Sequence, residues 1–243
     1  MSVLQVKNLS FKYETKPLFI NASMRIESGS IVGLLGPNGS GKTTFFDIVC
    51  GLTKEKNSDI TNSFKYPLYL SQHLTTPHTL RMFDIFRITT LLCSSERTTQ
   101  QRAVEKLARW SPEIIERYKA IWNKKSSICS YGEKRWFFTL TLLTLNSELV
   151  ILDEPSAGVD PEFRHYIWKC LNGAARDGAA ILVSSHNIEE ISTNCDYFYM
   201  ISNHMFKLFH SGSEFIQHYQ ADSLDQAFIS AASSSAISLS PSP

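Results

Sequence analysis

Apolar runs without a charged side chain are the clearest pattern along the chain. They lie at residues 31–35, 149–152 and 179–183, and a strand buried on both faces of a parallel sheet has this character. Residues 4–9 and 22–26 instead predict a pair of antiparallel strands. We therefore predict an α/β fold with a mixed, largely parallel core sheet and an antiparallel β subdomain.

The stretch from about residue 73 to 135 is different, because it is polar, rich in arginine and helical in its periodicity. It predicts an inserted helical subdomain, and we expect its apolar positions, among them Leu91 and Leu92, to face the core. We expect one domain over residues 1–229. The last stretch, residues 230–243, is mostly Ser, Ala and Pro, which bury too little surface to order a chain, so we predict a disordered tail.

A glycine-rich segment follows the first apolar run directly. Residues 36–44 fill every fixed position of the G-x-x-x-x-G-K-[ST] loop, in which backbone N–H groups and a helix N-terminus point at phosphate oxygens. Lys42 would add a charge at the β and γ phosphates, and the Thr43 hydroxyl suits Mg²⁺. The predicted flanking strand and helix favour a triphosphate site over a turn that merely joins two elements. The predicted nucleotide-binding residues of this loop are Gly36, Pro37, Asn38, Gly39, Ser40, Gly41, Lys42, Thr43 and Thr44.

Two adjacent carboxylates, Asp153 and Glu154, end the apolar run at 149–152. Ligands bind at the carboxyl ends of strands in open α/β sheets, and successive strand side chains point in opposite directions. Asp153 can therefore reach a Mg²⁺ shell while Glu154 orients or deprotonates an attacking water. Alone, the pair could be a solvated strand end, but the phosphate loop upstream favours the catalytic interpretation.

Together these motifs resemble the ATP-binding subunit of ABC transporters, and the resemblance runs from about residue 4 to 228. Four further segments match the family in its order. Residues 69–72 end in its glutamine, 129–133 stand at its signature motif, 156–160 match its dimer-interface loop, and 184–186 end in its switch histidine. The resemblance implies a phosphate-loop NTPase fold, ATP and Mg²⁺ as ligands, and ATP hydrolysis that drives transport.

The same resemblance assigns roles to three separate side chains. Tyr13 would stack on adenine, Gln72 would reach Mg²⁺ or water, and His186 would contact the γ phosphate, where an imidazole can donate a hydrogen bond. Each has an ordinary alternative: a half-buried strand aromatic, a surface amide and a capped loop histidine. Their order along the chain favours the functional interpretation.

The signature segment departs from the family pattern. Residues 129–133 read Cys-Ser-Tyr-Gly-Glu where the family has Leu-Ser-Gly-Gly-Gln. Ser130 and Gly132 are retained, and they can offer a hydroxyl and a close backbone N–H to a γ phosphate. Glu133 falls in the first turn of a helix predicted over 134–145, where a carboxylate suits the dipole. It faces either the nucleotide of an opposite subunit, which it would repel, or solvent.

Composition sets limits on location and partners. The chain has 243 residues with 24 Lys and Arg against 23 Asp and Glu, so bulk charge does not favour nucleic acid. No apolar run approaches the ~20 residues of a membrane-spanning helix. The first seven residues lack the apolar core of a signal peptide, and the 5 cysteines lack C-x-x-C spacing. We expect a cytoplasmic chain with reduced cysteines.

The family resemblance then implies two protein partners. One is an integral-membrane permease that would hold the chain on the inner face of the membrane, and the other is a second ATPase subunit, because the chain has one phosphate loop. Residues 223–228 resemble the L-E-x-A-F ending of exporter ATPases, so we expect export. A soluble ATPase not coupled to transport and a weakly active regulatory partner remain alternatives. Aromatic residues that either form the core or line a groove for a permease helix are Phe83, Phe86, Trp136, Phe137 and Phe138.

Overall fold

The computed structural model describes residues 2–54, 59–93 and 98–237. The chain divides into two compact units, one formed by Met1–Ser63 with Leu182–Pro243 and the other by Phe64–Ile181. The strands, in chain order, are β1 (Val3–Tyr13), β2 (Lys16–Glu27), β3 (Ile31–Leu35), β4 (Asp59–Asn62), β5 (Leu68–Leu70), β6 (Leu149–Asp153), β7 (Ala180–Ser185), β8 (Tyr197–Ser202) and β9 (Met205–Phe209). The helices are α1 (Lys42–Val49), α2 (Met82–Cys93), α3 (Gln100–Trp110), α4 (Ile115–Trp122), α5 (Tyr131–Thr144), α6 (Pro161–Arg176), α7 (Ile188–Asn194), α8 (Gly212–Tyr219) and α9 (Leu224–Ile237).

The first unit contains the predicted antiparallel strands. β2, β1 and β4 form an antiparallel sheet in that order, with Leu4 opposite Ile26 and Val6 opposite Met24. All four of these side chains are buried, as the alternation of apolar and polar residues in both strands requires. This sheet confirms the predicted antiparallel β subdomain as an arrangement of strands.

β3 carries the phosphate loop at its carboxyl end. It pairs in parallel with β8, with Val32 opposite Tyr197, and β8 pairs antiparallel with β9. Every residue of β3 is buried, which explains its uninterrupted apolar sequence. At Gly33 an added Cβ would lie 2.3 Å from Ile191 Cγ2 of α7, so the Ile191 side chain packs directly against the backbone of β3. Glycine at position 33 therefore permits the close packing of α7 on β3.

The second unit combines the parallel strands β5 and β6 with helices α2 to α6. It therefore extends beyond the predicted helical stretch 73–135 on both sides. Its core is aromatic: Trp136 stacks on Phe163 at 4.7 Å between ring centroids, and Phe137 stacks on Tyr118 at 4.9 Å. The Tyr118 hydroxyl shares a 2.7 Å hydrogen bond with Thr141, which satisfies two buried polar atoms.

The aromatic residues of this unit mostly belong to that core. Trp136, Phe137 and Phe138 are at most 8% exposed, so the groove interpretation is wrong for these three. Phe86 is 2% exposed and packs with half-buried Phe83 against Trp122.

The expectation that Leu91 and Leu92 face the core is also wrong, since they are 58% and 80% exposed. Helix α2 buries Met82, Ile85, Phe86 and Thr90 instead.

The C-terminal segment is more ordered than its composition indicates. Helix α9 extends to Ile237, so residues 230–237 are helical where we predicted the start of a disordered tail. Alanine is the best helix former, and Ala227 and Ala231 are fully buried. The Ser202 hydroxyl also donates to the Ala231 carbonyl at 2.9 Å. The predicted tail from residue 238 onward lies outside the described residues.

Candidate nucleotide-binding site

The loop between β3 and α1 has the backbone that its glycines predict. Gly39 and Gly41 have φ of 80° and 103°, in the left-handed region that favours glycine. Gly41 is the N-cap of α1, and an added Cβ there would lie 2.8 Å from Phe19 Cζ and 2.9 Å from Leu18 Cγ. A side chain at position 41 is therefore excluded by both conformation and space.

Lys42 begins α1 and is only 8% exposed. Its Nζ donates to the carbonyl oxygens of Gly36 at 2.7 Å and Pro37 at 3.3 Å. The ammonium group is thus held within the loop. The Ser40 hydroxyl is buried and has no hydrogen-bond partner among the described residues, so the loop also holds a polar atom that a ligand oxygen could satisfy.

Tyr13 lies at the end of β1 and is 55% exposed. Its hydroxyl shares a 3.3 Å hydrogen bond with Thr44 of α1, and its ring packs edge-on against Phe11. The structure thus brings the predicted adenine-stacking residue next to the last residue of the phosphate loop. An exposed ring in this position is available to a flat ligand.

His186 follows β7 directly and is exposed. On its other side, Asn187 caps α7 by accepting from Glu190 N at 2.9 Å, and Asn187 N donates to the Ser185 hydroxyl. The capping role therefore belongs to Asn187. His186 occupies a short, well-defined junction between strand and helix.

In the second unit, Asp153 and Glu154 at the end of β6 are 1% and 5% exposed. The alternative of a solvated strand end is therefore wrong. Glu154 has φ of 55°, which costs a residue other than glycine on the order of 1–3 kcal/mol and is typical of functional positions. The backbone at the predicted catalytic base is held in an unusual conformation.

Arg135 of α5, a residue the sequence reasoning missed, is fully buried beside that strained backbone. Its Nε donates to the Glu154 carbonyl at 3.1 Å, and its Nη1 donates to the carbonyls of Ser71 at 2.6 Å and Gln72 at 3.1 Å. Burial lowers the pKa of Arg135, and the negative charges of Asp153 and Glu154 act in the opposite direction. Arg135 thus joins the backbones of two predicted site residues.

Ser130 and Glu133 form a reciprocal cap at the start of α5. The Ser130 hydroxyl accepts from Glu133 N at 3.1 Å, and the Glu133 carboxylate accepts from Ser130 N at 2.9 Å. The carboxylate also pairs with Lys124 Nζ at 2.7 Å. Burial alone would raise the pKa of Glu133, but the hydrogen bonds from Lys124 and Ser130 lower it overall. The predicted place of Glu133 in the first turn of a helix is confirmed, but neither alternative for its carboxylate anticipated the bonds with Ser130 and Lys124.

Gly132 is buried against the segment that follows Glu154. A Cβ at position 132 would lie 2.5 Å from the carbonyl oxygen of Gly158, so only glycine fits. Gly158 itself has φ of 69° and is exposed. The retained glycine of the signature segment thus permits close backbone packing onto the predicted dimer-interface loop.

The donor types fit a nucleoside triphosphate with a hard divalent cation. A buried ammonium and an unsatisfied hydroxyl in a glycine-shaped loop suit phosphate, while the Thr43 hydroxyl and the Asp153 carboxylate are oxygen ligands of the kind Mg²⁺ takes. A buried strand, this loop and an acidic strand end define a phosphate-loop nucleotide-binding protein.

Comparison with known proteins identifies the family. A family model described as "ABC transporter" matches residues 19–157, more than half of the chain, and one described as "AAA domain, putative AbiEii toxin, Type IV TA system" matches 123–192. Protein McbF of Escherichia coli is 32% identical over 88% of this chain and 89% of its own length. The lipopolysaccharide export ATP-binding protein LptB of Haemophilus influenzae is 31% identical over 83% and 87%. The zinc import ATP-binding protein ZnuC of Ehrlichia canis is 30% identical over 83% and 77%.

Solved structures agree on the fold. A structure described as the ATP-binding subunit of an ABC transporter superposes with a TM-score of 0.78 at 21% identity, over 93% of this chain and 98% of that one. A nucleotide-free ATP-binding cassette from an ABC transporter gives 0.73 at 18% identity, over 94% and 99%. The chain belongs to the ABC transporter family, as one of its ATP-binding subunits. It is an ATPase whose hydrolysis of ATP is coupled to transmembrane transport.

Within the part of the chain that the structure describes, no helix combines the length and apolar character needed to cross a membrane.

Proposed function

We propose that this subunit dimerises around ATP and Mg²⁺ and drives a permease that exports its substrate. The observation that carries the proposal is the glycine-rich loop with Lys42 held inside it, because a buried ammonium beside the N-terminus of a helix suits the phosphates of a nucleoside triphosphate. Tyr13, whose hydroxyl shares a hydrogen bond with Thr44 at the end of that loop, would stack on the base.

In this proposal Thr43, Gln72 and Asp153 hold Mg²⁺, which neutralises phosphate charge when bound. Glu154 orients and deprotonates the attacking water, and its unusual backbone supports that role because the Arg135 contact fixes where the side chain starts. His186 donates a hydrogen bond to the γ phosphate.

Dimerisation is proposed from the surface around the signature segment. Ser130, Tyr131 and Gly158 are exposed and therefore available to a second subunit. Because the chain has one phosphate loop, a second ATPase subunit would supply the second ATP site, and we propose that it is another copy of this chain. Ser130 and Gly132 would then contact the nucleotide held by the partner subunit.

Contact with a permease is proposed at helix α2. Its residues Ile88, Leu91 and Leu92 are 45%, 58% and 80% exposed, and Phe83 lines a groove of about 330 Å³ together with Phe86 and Thr90. Exposed apolar residues on one helix are typical of a surface that another protein covers. Such a contact would hold the chain on the cytoplasmic face of the membrane, without a role for nucleic acid.

The direction of transport is proposed from residues 223–228, which resemble the ending of exporter ATPases. Leu224 to Phe228 open α9, and Ala227 in their midst is fully buried. The names of the relatives include both an exporter and an importer, so they do not decide between the two directions.

The decisive experiment compares two single substitutions in the purified chain, each with a matched control. Lys42→Ala should abolish ATP binding measured by calorimetry, whereas Lys7→Ala, which changes an exposed lysine of β1, should bind normally. Glu154→Gln should bind ATP but accumulate as a dimer in size-exclusion chromatography with ATP and Mg²⁺, because hydrolysis is removed and affinity is not.

Unchanged ATP affinity in Lys42→Ala would contradict the proposed site. A monomeric Glu154→Gln protein that still binds ATP would contradict the dimer and favour the alternative of a regulatory partner. Glu162→Gln is the matched control, because this exposed carboxylate in the first turn of α6 should leave both measurements unchanged.

A further inference from the structure

Tyr131 occupies the signature position at which the family pattern has a glycine. Its hydroxyl donates to the carbonyl oxygen of Gln72 at 2.9 Å, across 59 residues of sequence. Glycine has no side chain and could not make this contact. The start of α5 is therefore attached to the Gln72 segment in a way that the usual signature sequence does not permit.

The same carbonyl receives a second hydrogen bond from α5. Arg135 Nη1 donates to Gln72 O at 3.1 Å and to Ser71 O at 2.6 Å. Tyr131 and Arg135 are four residues apart, so their side chains project from the same face of the helix. Two side chains from successive turns of α5 thus bind the backbone of residues 71 and 72.

The ring of Tyr131 also lies next to Gly158. A Cβ added at Gly158 would lie 3.3 Å from Tyr131 Cδ1, so the ring rests against the segment that follows Glu154. Arg135 reaches the Glu154 carbonyl itself. The two side chains therefore contact both the Gln72 segment and the segment of the catalytic carboxylate.

We propose that Tyr131 is a positioning residue that fixes Gln72 relative to Glu154 by bonding the Gln72 carbonyl. The inference rests on the proposed function, in which Gln72 contacts Mg²⁺ and Glu154 the attacking water. Without the Tyr131 hydroxyl, Arg135 alone would donate to the Gln72 carbonyl. Residues 71 and 72 should then keep their folded position on average but open more often. Gln72 would then be correctly placed for a smaller fraction of the time.

The test uses Tyr131→Phe, which keeps the ring against Gly158 and removes only the hydroxyl. Loss of one net hydrogen bond should speed amide hydrogen exchange in peptides covering residues 71–75 by about threefold to tenfold in the nucleotide-free protein. Tyr131→Gly, which restores the usual family residue, should speed it further. Tyr66→Phe removes the hydroxyl of a tyrosine that is 58% exposed in the same unit, and should leave exchange at 71–75 unchanged.

Kinetics provide the second measurement. In Tyr131→Phe, kcat should fall about threefold to tenfold while KM for ATP stays within twofold, and the Mg²⁺ concentration for half-maximal rate should rise. In a Gln72→Ala background the same substitution should no longer change the Mg²⁺ requirement, because the side chain that it positions is gone.

The outcomes separate the two proposals. A wild-type chain that neither binds nor hydrolyses ATP would refute the proposed function, whereas the exchange measurement would still decide whether Tyr131 holds the Gln72 segment. Unchanged exchange at residues 71–75 in Tyr131→Phe, or an equal change in Tyr66→Phe, would overturn the inference while leaving ATP hydrolysis intact. A normal Mg²⁺ requirement with faster exchange would overturn the positioning role in catalysis.

Discussion

Replacing Glu133 by glutamine separates two contributions of one carboxylate to stability. Glutamine also serves at the third position of a capping box, so the reciprocal bonds with Ser130 can persist. Only the ion pair with Lys124 is lost. Glu133 and Lys124 side chains are 19% and 39% exposed, so solvent screens the pair and its contribution is on the order of 0.5–1 kcal/mol.

Glu133→Ala removes the cap as well as the ion pair. The lost capping bond adds about 1 kcal/mol, so the total reduction in the free energy of unfolding should be about 2 kcal/mol. For a chain of this size, each 1 kcal/mol corresponds to a fall of about 2–4 °C in Tm. Thermal melting at pH 7 should therefore rank wild type, Glu133→Gln and Glu133→Ala in steps of a few degrees.

The pH dependence of Tm shows whether the charge of Glu133 stabilises the fold. Because the pKa of Glu133 is lower in the folded chain, its charge stabilises the fold above the unfolded value of about 4.3, and this stability is lost as pH falls through the folded pKa. The difference in Tm between wild type and Glu133→Gln should therefore shrink below about pH 4. Lys124→Met should remove the same difference at pH 7, since the partner charge is then absent.

The exposed ion pair between Glu116 and Lys119 provides a control. Glu116 pairs with Lys119 at 3.4 Å but is 91% exposed, so Glu116→Gln should change Tm by less than about 1 °C. If Glu133→Gln melts like wild type yet dimerises more tightly with ATP, the carboxylate faces the nucleotide of an opposite subunit. The argument that the ion pair with Lys124 stabilises the fold would then be refuted.

Two further predictions concern packing. Gly132→Ala should lower the free energy of unfolding by about 1–3 kcal/mol in urea titrations, because its Cβ would meet the Gly158 carbonyl at 2.5 Å, and an unchanged midpoint would contradict this close contact. Phe86→Ala should cost about 3–5 kcal/mol in melting experiments, since this ring is 2% exposed. By contrast, Leu92→Ser should melt normally and reduce co-fractionation with membranes that contain the permease, and retained co-fractionation would argue against α2 as the contact surface.

The features that sequence could predict are those whose chemistry is local. The strand at 31–35 and the loop after it were predictable because uninterrupted apolar residues require burial and because Gly39 and Gly41 encode positive φ. The acidic pair was predictable as the end of a buried strand, and its role in catalysis stays a prediction. The near-complete burial of the two carboxylates was not predictable, because burial depends on α5, whose contact with the pair is not visible in the local pattern.

Contacts between distant residues account for what sequence missed. Nothing in the pattern around Tyr131 pairs it with Gln72, and a lone arginine in an apolar helix is the only signal that marks Arg135 as buried. The alanine and serine of residues 230–237 have little apolar surface, yet Ala231 is fully buried and its helix forms. Composition predicts how much apolar surface a segment can bury. Whether that small area suffices to order the helix depends on its contacts with the neighbouring strand β8.

The division of the chain into two units has a spectroscopic consequence. All 4 tryptophans, at positions 110, 122, 136 and 168, belong to Phe64–Ile181, whereas the phosphate loop belongs to the other unit. Trp136 is fully buried, and Trp110 is only partly covered and donates to Asp177 at 3.1 Å. Indole emission is therefore an intrinsic reporter of the second unit alone. A nucleotide that shifts this emission reveals a response in the unit without the phosphate loop, and no dye has to be attached to see it.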